Sequence, residues 1–256
     1  MLLTIDIGNT NIKFGLFDGA DLRESWRVGA TTAKTGDEYG LAILDFLRGH
    51  GYNASDVDGI VIGSVIPNLN FTFERMSKYY FKTAPLLVGP GIRTGIALKV
   101  DDPREVGADR LAGCLAAYKL YGAPLTVISF GTATAFSVVS ERGEFLGGLI
   151  APGIKVAGDA MCASAALLPR FEYELPKKIV NKNTVTNMQA GLLYGAIGMA
   201  EYVCSRIKSE CGFQTMKVIA TGGLADIVAS GTSIIDKVDK TLNLTGLRMI
   251  YEMNRK

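Results

Sequence analysis

The chain has 256 residues, 48% hydrophobic and 20% charged, with a formal net charge of +2. That length holds one large domain or two modest ones with a sizeable core, and the near-neutral balance lacks the basic run or tail of a non-specific nucleic-acid binder. No stretch reaches the roughly 18 apolar residues of a membrane span, and the opening MLLTID has no basic n-region, so no spanning helix or signal peptide is expected.

The first element is LLTIDIGNTNIKFGLF, Leu2 to Phe17, whose alternation around Asn-Thr-Asn predicts a hairpin. Gly36 to Gly49 carries Tyr39, Leu41, Leu44, Phe46 and Leu47 at helical spacing, with Asp37 near its start. Val57 to Val65 reads as a buried strand, Pro67 as the first residue of a helix, and Pro85 to Val88 as another strand. Pro90 to Val106, rich in Gly, Pro and charge, reads as a loop, followed by a helix over Ala108 to Leu120.

A second hairpin is expected at LTVISFGTATAFSVV, Leu125 to Val139. Glu141 to Glu144 makes a turn, and LGGLIAPG leads into a helix. Thr184 to Ser209 reads as a long helix with Thr184 as its N-cap. Met216 to Ala220 is a strand ending in Thr221-Gly222-Gly223, and the last helix is expected over Thr245 to Asn254.

With Gly8 set over Gly131, IDIGNTNIKFGLF and ISFGTATAFSVVS run in parallel, but Asp6 faces Ser129 in the alignment. The order of elements is thus α/β, given twice, with halves at 1–115 and 116–256 and a cleft between them as the favoured ligand site. Four cysteines, Cys114, Cys162, Cys204 and Cys211, form no CxxC pair, as expected of free thiols in a reducing, cytoplasmic compartment. The single histidine, His50, sits in the turn RGHGYN, which argues against a histidine-dependent triad.

Three constellations could carry chemistry. Asp6-Ile7-Gly8-Asn9-Thr10-Asn11 with Lys13 combines a flexible turn, hydrogen-bond donors, a carboxylate able to hold Mg²⁺ and a point charge for phosphate; an ordinary polar turn has the same composition. Gly107-Ala108-Asp109-Arg110 lies at a loop-to-helix junction, where Asp109 is either a cap or a general base and Arg110 can clamp an anion. Gly222-Gly223 at a strand end either lets a flat base approach the backbone or makes a plain turn.

Together these residues resemble the type III pantothenate kinases, a branch of the acetate kinase, sugar kinase, Hsp70 and actin superfamily. The resemblance rests on IDIGNTNIKFGLF, SVIP at Ser64, DDPREVGADR at Asp101, GTATAF at Gly131, RGEFLGGLIAPG at Arg142, KNTVTNMQAGLLYG at Lys182 and VIATGGLA at Val218, in the family's order over nearly the whole chain. It implies two ribonuclease-H-like halves, the duplicated actin-like ATPase fold, with ATP and pantothenate between them, a homodimer, Mg²⁺, and a monovalent cation such as K⁺ or NH₄⁺. Asp6, Gly8, Asn9, Thr10, Asn11 and Lys13 then form the first phosphate loop, with Asp6 on Mg²⁺ and Gly131 and Thr132 on ATP from the second. Gly107, Ala108, Asp109 and Arg110 line the pantothenate site with Asp109 as proton acceptor. Thr184 contacts pantothenate across the dimer interface, and Gly222 and Gly223 fall in the adenosine segment.

The chain also departs from the family pattern. Asp, Thr and Asp of the family's second loop are Ser129, Ala135 and Ser137 here, an aromatic of the pantothenate loop is Val100, and a Gly before KNT is Asn181. Ser129 removes charge from the monovalent-cation position, leaving a weaker neutral ligand. Two further readings therefore stay open beside an active kinase: a catalytically weak or inactive member with a binding or regulatory role, and a kinase of another small hydroxylated substrate.

Overall fold

The computed structural model describes residues 1–165 and 167–255. In chain order the elements are β1 (Leu2–Ile7), β2 (Asn11–Asp18), β3 (Asp21–Gly29), α1 (Gly36–Gly49), β4 (Gly59–Ser64), α2 (Pro67–Tyr80), β5 (Leu86–Leu87), β6 (Ala97–Leu98), α3 (Ala108–Tyr121), β7 (Leu125–Phe130), β8 (Ala133–Val139) and β9 (Glu144–Pro152). They continue with α4 (Ile154–Ser164), α5 (Thr184–Glu210), β10 (Lys217–Thr221), α6 (Ala225–Ala229), β11 (Lys237–Val238) and α7 (Leu242–Asn254). No helix among the described residues is long and apolar enough to cross a membrane.

Local signals account for the element starts. The Thr35 side chain accepts from the Glu38 N–H while Glu38 accepts from the Thr35 N–H, a reciprocal cap that starts α1 where the sequence placed it. Pro67 opens α2, where its missing N–H costs nothing. At α5 the cap is Asn183, whose Oδ1 accepts from the Thr186 N–H at 2.9 Å. Thr184 is the first helical residue rather than the expected cap, because an amide side chain one position earlier reaches the orphan N–H first.

The strands form two sheets. The first runs β3-β2-β1-β4-β5. The second runs β9-β8-β7-β10-β11 in the same pattern, with β6 added beside β9. In each, three antiparallel strands are followed by parallel ones. This is the duplicated ribonuclease-H-like topology expected from the sequence repeat.

The chain packs as two compact units. One holds Met1–Ile96, Asp102–Ala116 and the chain from Leu242 onward; the other holds Ala97–Asp101 and Ala117–Thr241. The C-terminal helix α7 thus belongs with the N-terminal sheet, although a cut at 115/116 assigns it to the later half.

Within the first unit, β1 is buried along its whole length because helices cover both faces. Leu3, Ile5 and Ile7 pack in the cluster that includes Tyr39 and Ile43 of α1 and Phe73 of α2. By the two-residue period of a strand, Leu2, Thr4 and Asp6 point the other way. On that side Leu2 packs with Ala112 and Leu115 of α3 and Leu244, Leu247 and Ile250 of α7. The carboxylate of Asp6 is thereby delivered to the layer of α3 and α7.

The two hairpins differ by one residue. In the first, Asp6 pairs with Lys13 and the Gly8 N–H closes on the Asn11 carbonyl at 3.1 Å. In the second, Ser129 pairs with Ala135 and the Gly131 N–H closes on the Ala133 carbonyl at 3.0 Å. The gapless overlay of the copies therefore holds up to the glycine and fails beyond it: Ala135, not Phe136, takes the place of Lys13. A register step of one residue turns every following side chain to the other face.

Helix α7 lies very close to α3. A Cβ on Gly246 would stand 1.9 Å from the Ala112 carbonyl oxygen, and one on Gly63 would stand 2.7 Å from Leu247 Cδ2. Replacing Gly246 by Ala should therefore destabilise the protein. Overpacking against rigid backbone costs about 1–3 kcal/mol, which exceeds the roughly 1 kcal/mol that Ala gains in helix propensity. Urea denaturation checks this, and an unchanged or raised midpoint contradicts the packing described.

Candidate functional site

The first-unit site is built around Asp6 at the carboxyl end of β1. Its side chain is 5% exposed, and burial pushes the carboxyl up from the ordinary 3.8 to about 6. The Lys13 ammonium, on the facing strand position, opposes that shift, and the nearby Asp109 carboxylate adds to it. A hydrogen bond from Asn243 Nδ2 to Asp6 Oδ2 at 3.1 Å favours the charged form. Desolvation is the largest of these effects, so Asp6 is a carboxylate short of cationic partners.

Asp109 enters from the first turn of α3. Its Oδ1 accepts the backbone N–H of Arg110 at 2.8 Å, which satisfies one first-turn donor from inside the helix; Asp109 is the second helical residue and not the N-cap that the sequence allowed. The same carboxylate acts on Asp6 electrostatically, so it serves the helix start and the site together. Gly107 makes room for it: a Cβ there would lie 2.5 Å from Asp109 Oδ1 and 3.3 Å from Val65 Cγ1. Ala108 is buried, while Gly107, Asp109 and Arg110 are half-buried. The hairpin tip stands nearer solvent, with Gly8 and Asn11 half-buried and Asn9 and Thr10 exposed. It is tied down where the Thr10 carbonyl accepts the Ala30 N–H at 3.0 Å.

In the second unit the structure gathers Ser129, Gly131, Thr132 and Gly222 at the carboxyl ends of β7 and β10. Ser129 pairs with Thr221 on one side and Ala135 on the other, so no charged side chain faces it across either ladder. Gly222 has φ of +100°, and a Cβ there would stand 2.4 Å from the Phe130 carbonyl oxygen, so only glycine fits. Beside it, a Cβ on Gly223 would meet nothing within 4 Å, an open stretch of backbone. The Gly131–Thr132 turn rests on Gly153, whose N–H donates to the Thr132 carbonyl at 3.1 Å. A side chain at Gly153 would lie 2.4 Å or less from both turn carbonyls.

Two predicted residues lie elsewhere in this unit. Val100 is half-buried near Gly147, with its Cγ1 3.8 Å from where a Cβ on that glycine would be. Thr184 is exposed at the start of α5. His50 lies at the C-cap of α1, stacked on Phe46 and exposed.

Among the described residues no three His, Cys, Asp or Glu side chains cluster as a metal cage. A buried carboxylate with a second carboxylate nearby instead suits a divalent cation that takes most of its oxygen ligands from outside the protein. Asn243 belongs to none of the sequence motifs and precedes Thr245, where the last helix is expected to begin, whereas α7 starts at Leu242. The buried series Leu242, Leu244, Leu247 and Ile250 is the signal that would have placed the start earlier.

The family model for type III pantothenate kinase matches residues 2–206. A type III pantothenate kinase of Geobacillus sp. (strain WCH70) is 48% identical over 254 residues, covering 99% of this chain and 98% of that protein. One from Myxococcus xanthus (strain DK1622) is 46% identical over 254 residues, covering 99% of both chains. Among solved structures, a candidate 2-dehydro-3-deoxygalactonokinase from Sinorhizobium meliloti superposes with TM-score 0.67 at 10% identity over 100% of this chain and 97% of the other. A conserved candidate transcriptional activator of the Baf family from Campylobacter jejuni gives TM-score 0.64 at 19% identity over 98% of both. At these identities the structural likeness concerns the fold alone, that of the actin-like ATPases and sugar kinases.

The raised carboxyl of Asp6 has a stability consequence with a definite sign. Between about pH 4 and pH 6 the folded protein holds the Asp6 proton while the unfolded chain releases it, so stability falls as pH rises through that window. The shift from 3.8 to about 6 corresponds to about 3 kcal/mol at most. Asp6→Asn should remove this slope and leave the metal-free protein more stable than wild type at pH 8, as read by urea denaturation at pH 4.5 and pH 8. A variant less stable than wild type at pH 8 contradicts the burial argument.

Proposed function

Since the chain belongs to the type III pantothenate kinase family, we propose that it transfers the γ-phosphoryl group of ATP to the primary hydroxyl of pantothenate. The product is 4'-phosphopantothenate, the first intermediate toward coenzyme A. The observation that carries this reading is the desolvated carboxylate of Asp6 with Lys13 opposite and Asp109 nearby. Phosphoryl transfer asks the protein for little covalent chemistry and much charge placement, and such a cluster supplies it.

In this reading Asp109 accepts the hydroxyl proton as the oxygen–phosphorus bond forms and the bond to ADP breaks. Asp6 would hold Mg²⁺, which would supply neutralising charge for the phosphate oxygens. Lys13 adds a fixed positive charge, and Gly8, Asn9, Thr10 and Asn11 present the first hairpin tip to the phosphates. Gly131 and Thr132 contact ATP from the second hairpin, and the open backbone of Gly223 beside Gly222 suits a flat adenine. Gly107, Ala108, Arg110, Val100 and Thr184 contribute to the pantothenate side. Four cysteines without disulfides fit a cytoplasmic enzyme, and the small net charge fits one that binds neither nucleic acid nor membrane.

The monovalent cation is where this chain differs from its family. Ser129 stands where the family has Asp and Ala135 where it has Thr, so K⁺ or NH₄⁺ would meet a neutral hydroxyl at position 129 in place of a carboxylate, and no side-chain oxygen at position 135. That pair is also the observation favouring a second reading, a family member that binds its ligands but turns over weakly.

A homodimer is part of the proposal. Along one face of α5, side chains added at Gly191, Gly195 and Gly198 would meet nothing within 4 Å, and Tyr202 on the same face is 67% exposed. Such a face permits close helix packing against a second copy.

The assay is purified protein with ATP, Mg²⁺ and pantothenate, with and without K⁺ or NH₄⁺. Turnover is expected, and Asp109→Asn should reduce kcat by about a hundredfold or more. Pantothenate binding without turnover under every cation condition points to the second reading. In the same assay Ser129→Asp should lower the K⁺ concentration needed for half-maximal rate, and an unchanged K⁺ response counts against the role given to that position. For the dimer, sedimentation should give twice the chain mass for wild type and a single chain for Gly195→Glu; a monomeric wild type removes the dimer from the account.

A further inference from the structure

The residue nearest to Asp6 by hydrogen bonding is neither in the hairpin nor in the Gly107–Arg110 turn. It is Asn243, in the first turn of α7, outside the residues 2–206 that match the family model. Its Nδ2 donates to Asp6 Oδ2 at 3.1 Å. Its Oδ1 points to α3, where a Cβ on Gly113 would stand only 2.8 Å away. The amide is thus held from two sides, by the carboxylate and by a helix surface that lacks a side chain at that point.

The orientation of the amide follows from chemistry. An ionised carboxylate only accepts, so the nitrogen must face Asp6 and the oxygen must face Gly113. The backbone that carries Asn243 is equally fixed. Leu242 and Leu244 flank it in the core, and Gly246 packs on the Ala112 carbonyl with no room for a methyl group. One oxygen of Asp6 is therefore pinned, and because the carboxylate is planar the other follows.

We propose that Asn243, seated in the space left by Gly113, is a positioning residue that holds the Asp6 carboxylate in the orientation needed at the Mg²⁺-bound phosphates of ATP. This rests on the kinase reading for what Asp6 meets; the contact between Asn243 and Asp6 does not. A group that orients a metal-binding carboxylate changes affinity or rate by about ten- to a hundredfold when removed. Asn243→Leu keeps the shape and removes the donor. Gly113→Ala keeps the donor and displaces the amide oxygen, while making α3 a better helix former.

The test compares wild type, Asn243→Leu and Gly113→Ala as full chains by calorimetric binding of a non-hydrolysable ATP analogue, with Mg²⁺ and without it. Thermal midpoint, kcat and the KM for pantothenate are measured beside it. Both variants should lose about tenfold in the Mg²⁺-dependent part of nucleotide affinity and in kcat. Metal-free affinity and the pantothenate KM should stay within about twofold in both variants. If both variants keep the wild-type gain from Mg²⁺, or if their losses extend equally to the metal-free nucleotide affinity and the pantothenate KM, Asn243 has no positioning role. Should Asn243→Leu fail to fold, Gly113→Ala decides alone by the same criteria. Wild type that binds Mg²⁺ and the analogue but does not phosphorylate pantothenate overturns the kinase reading, and the binding comparison still decides Asn243. Wild type without nucleotide binding overturns both.

Discussion

A carboxylate placed at the end of a central strand and covered by helices is the constraint on which the rest of the first unit depends. Burying an ionised group costs several kcal/mol unless partners replace the lost water. Asp6 has partial replacement only: one amide hydrogen bond and one ammonium on the facing strand, offset by a second carboxylate. The balance leaves its proton affinity well above that of an exposed aspartate. A folded chain would gain by substituting an apolar residue there, so the arrangement is costly as structure and useful as a site. It leaves an unmet demand for positive charge where a metal–phosphate complex can supply it.

The second hairpin uses the same scaffold without that demand. Its turn is one residue shorter, which puts Ala135 where the first hairpin has Lys13, opposite Ser129 where the first has Asp6. Loss of the acid is thus matched by a small neutral residue across the ladder, and no buried ion is left without a partner. What this unit retains is backbone shape. Gly222 lies against Phe130, Gly153 supports the Gly131–Thr132 turn, and Gly223 is uncovered. The charged chemistry sits in one hairpin, and the other offers hydrogen-bonding surface.

Much of this was legible in the chain. The two hairpins were readable because alternation with a Gly-centred polar turn leaves few other structures, and α1 because its cap and its apolar spacing agree. Asp6, Lys13 and Asp109 could be singled out because charge stands out at a strand end and at a loop-to-helix junction. Other features were not visible for physical reasons. Strand β6 has two residues, too few for any period. The one-residue difference between the hairpins is a loop-length property that an overlay without gaps cannot detect. Asn243 belongs to no motif. It matters because α7 returns to β1 across more than two hundred residues of chain, and only the packing of Gly246 and Leu247 onto Ala112 and Gly63 brings it there.

The central claim is that Asp6 is a desolvated carboxylate whose charge is set by Lys13, Asp109 and Asn243. Its most direct test is a titration of the Asp6 side-chain carbon by nuclear magnetic resonance on the metal-free protein labelled at aspartate, with the signal assigned through Asp6→Asn. The account predicts a midpoint near 6 in wild type, a lower one in Asp109→Asn, where a like charge is gone, and a higher one in Lys13→Met. A wild-type midpoint near 4, unmoved by either substitution, would contradict it.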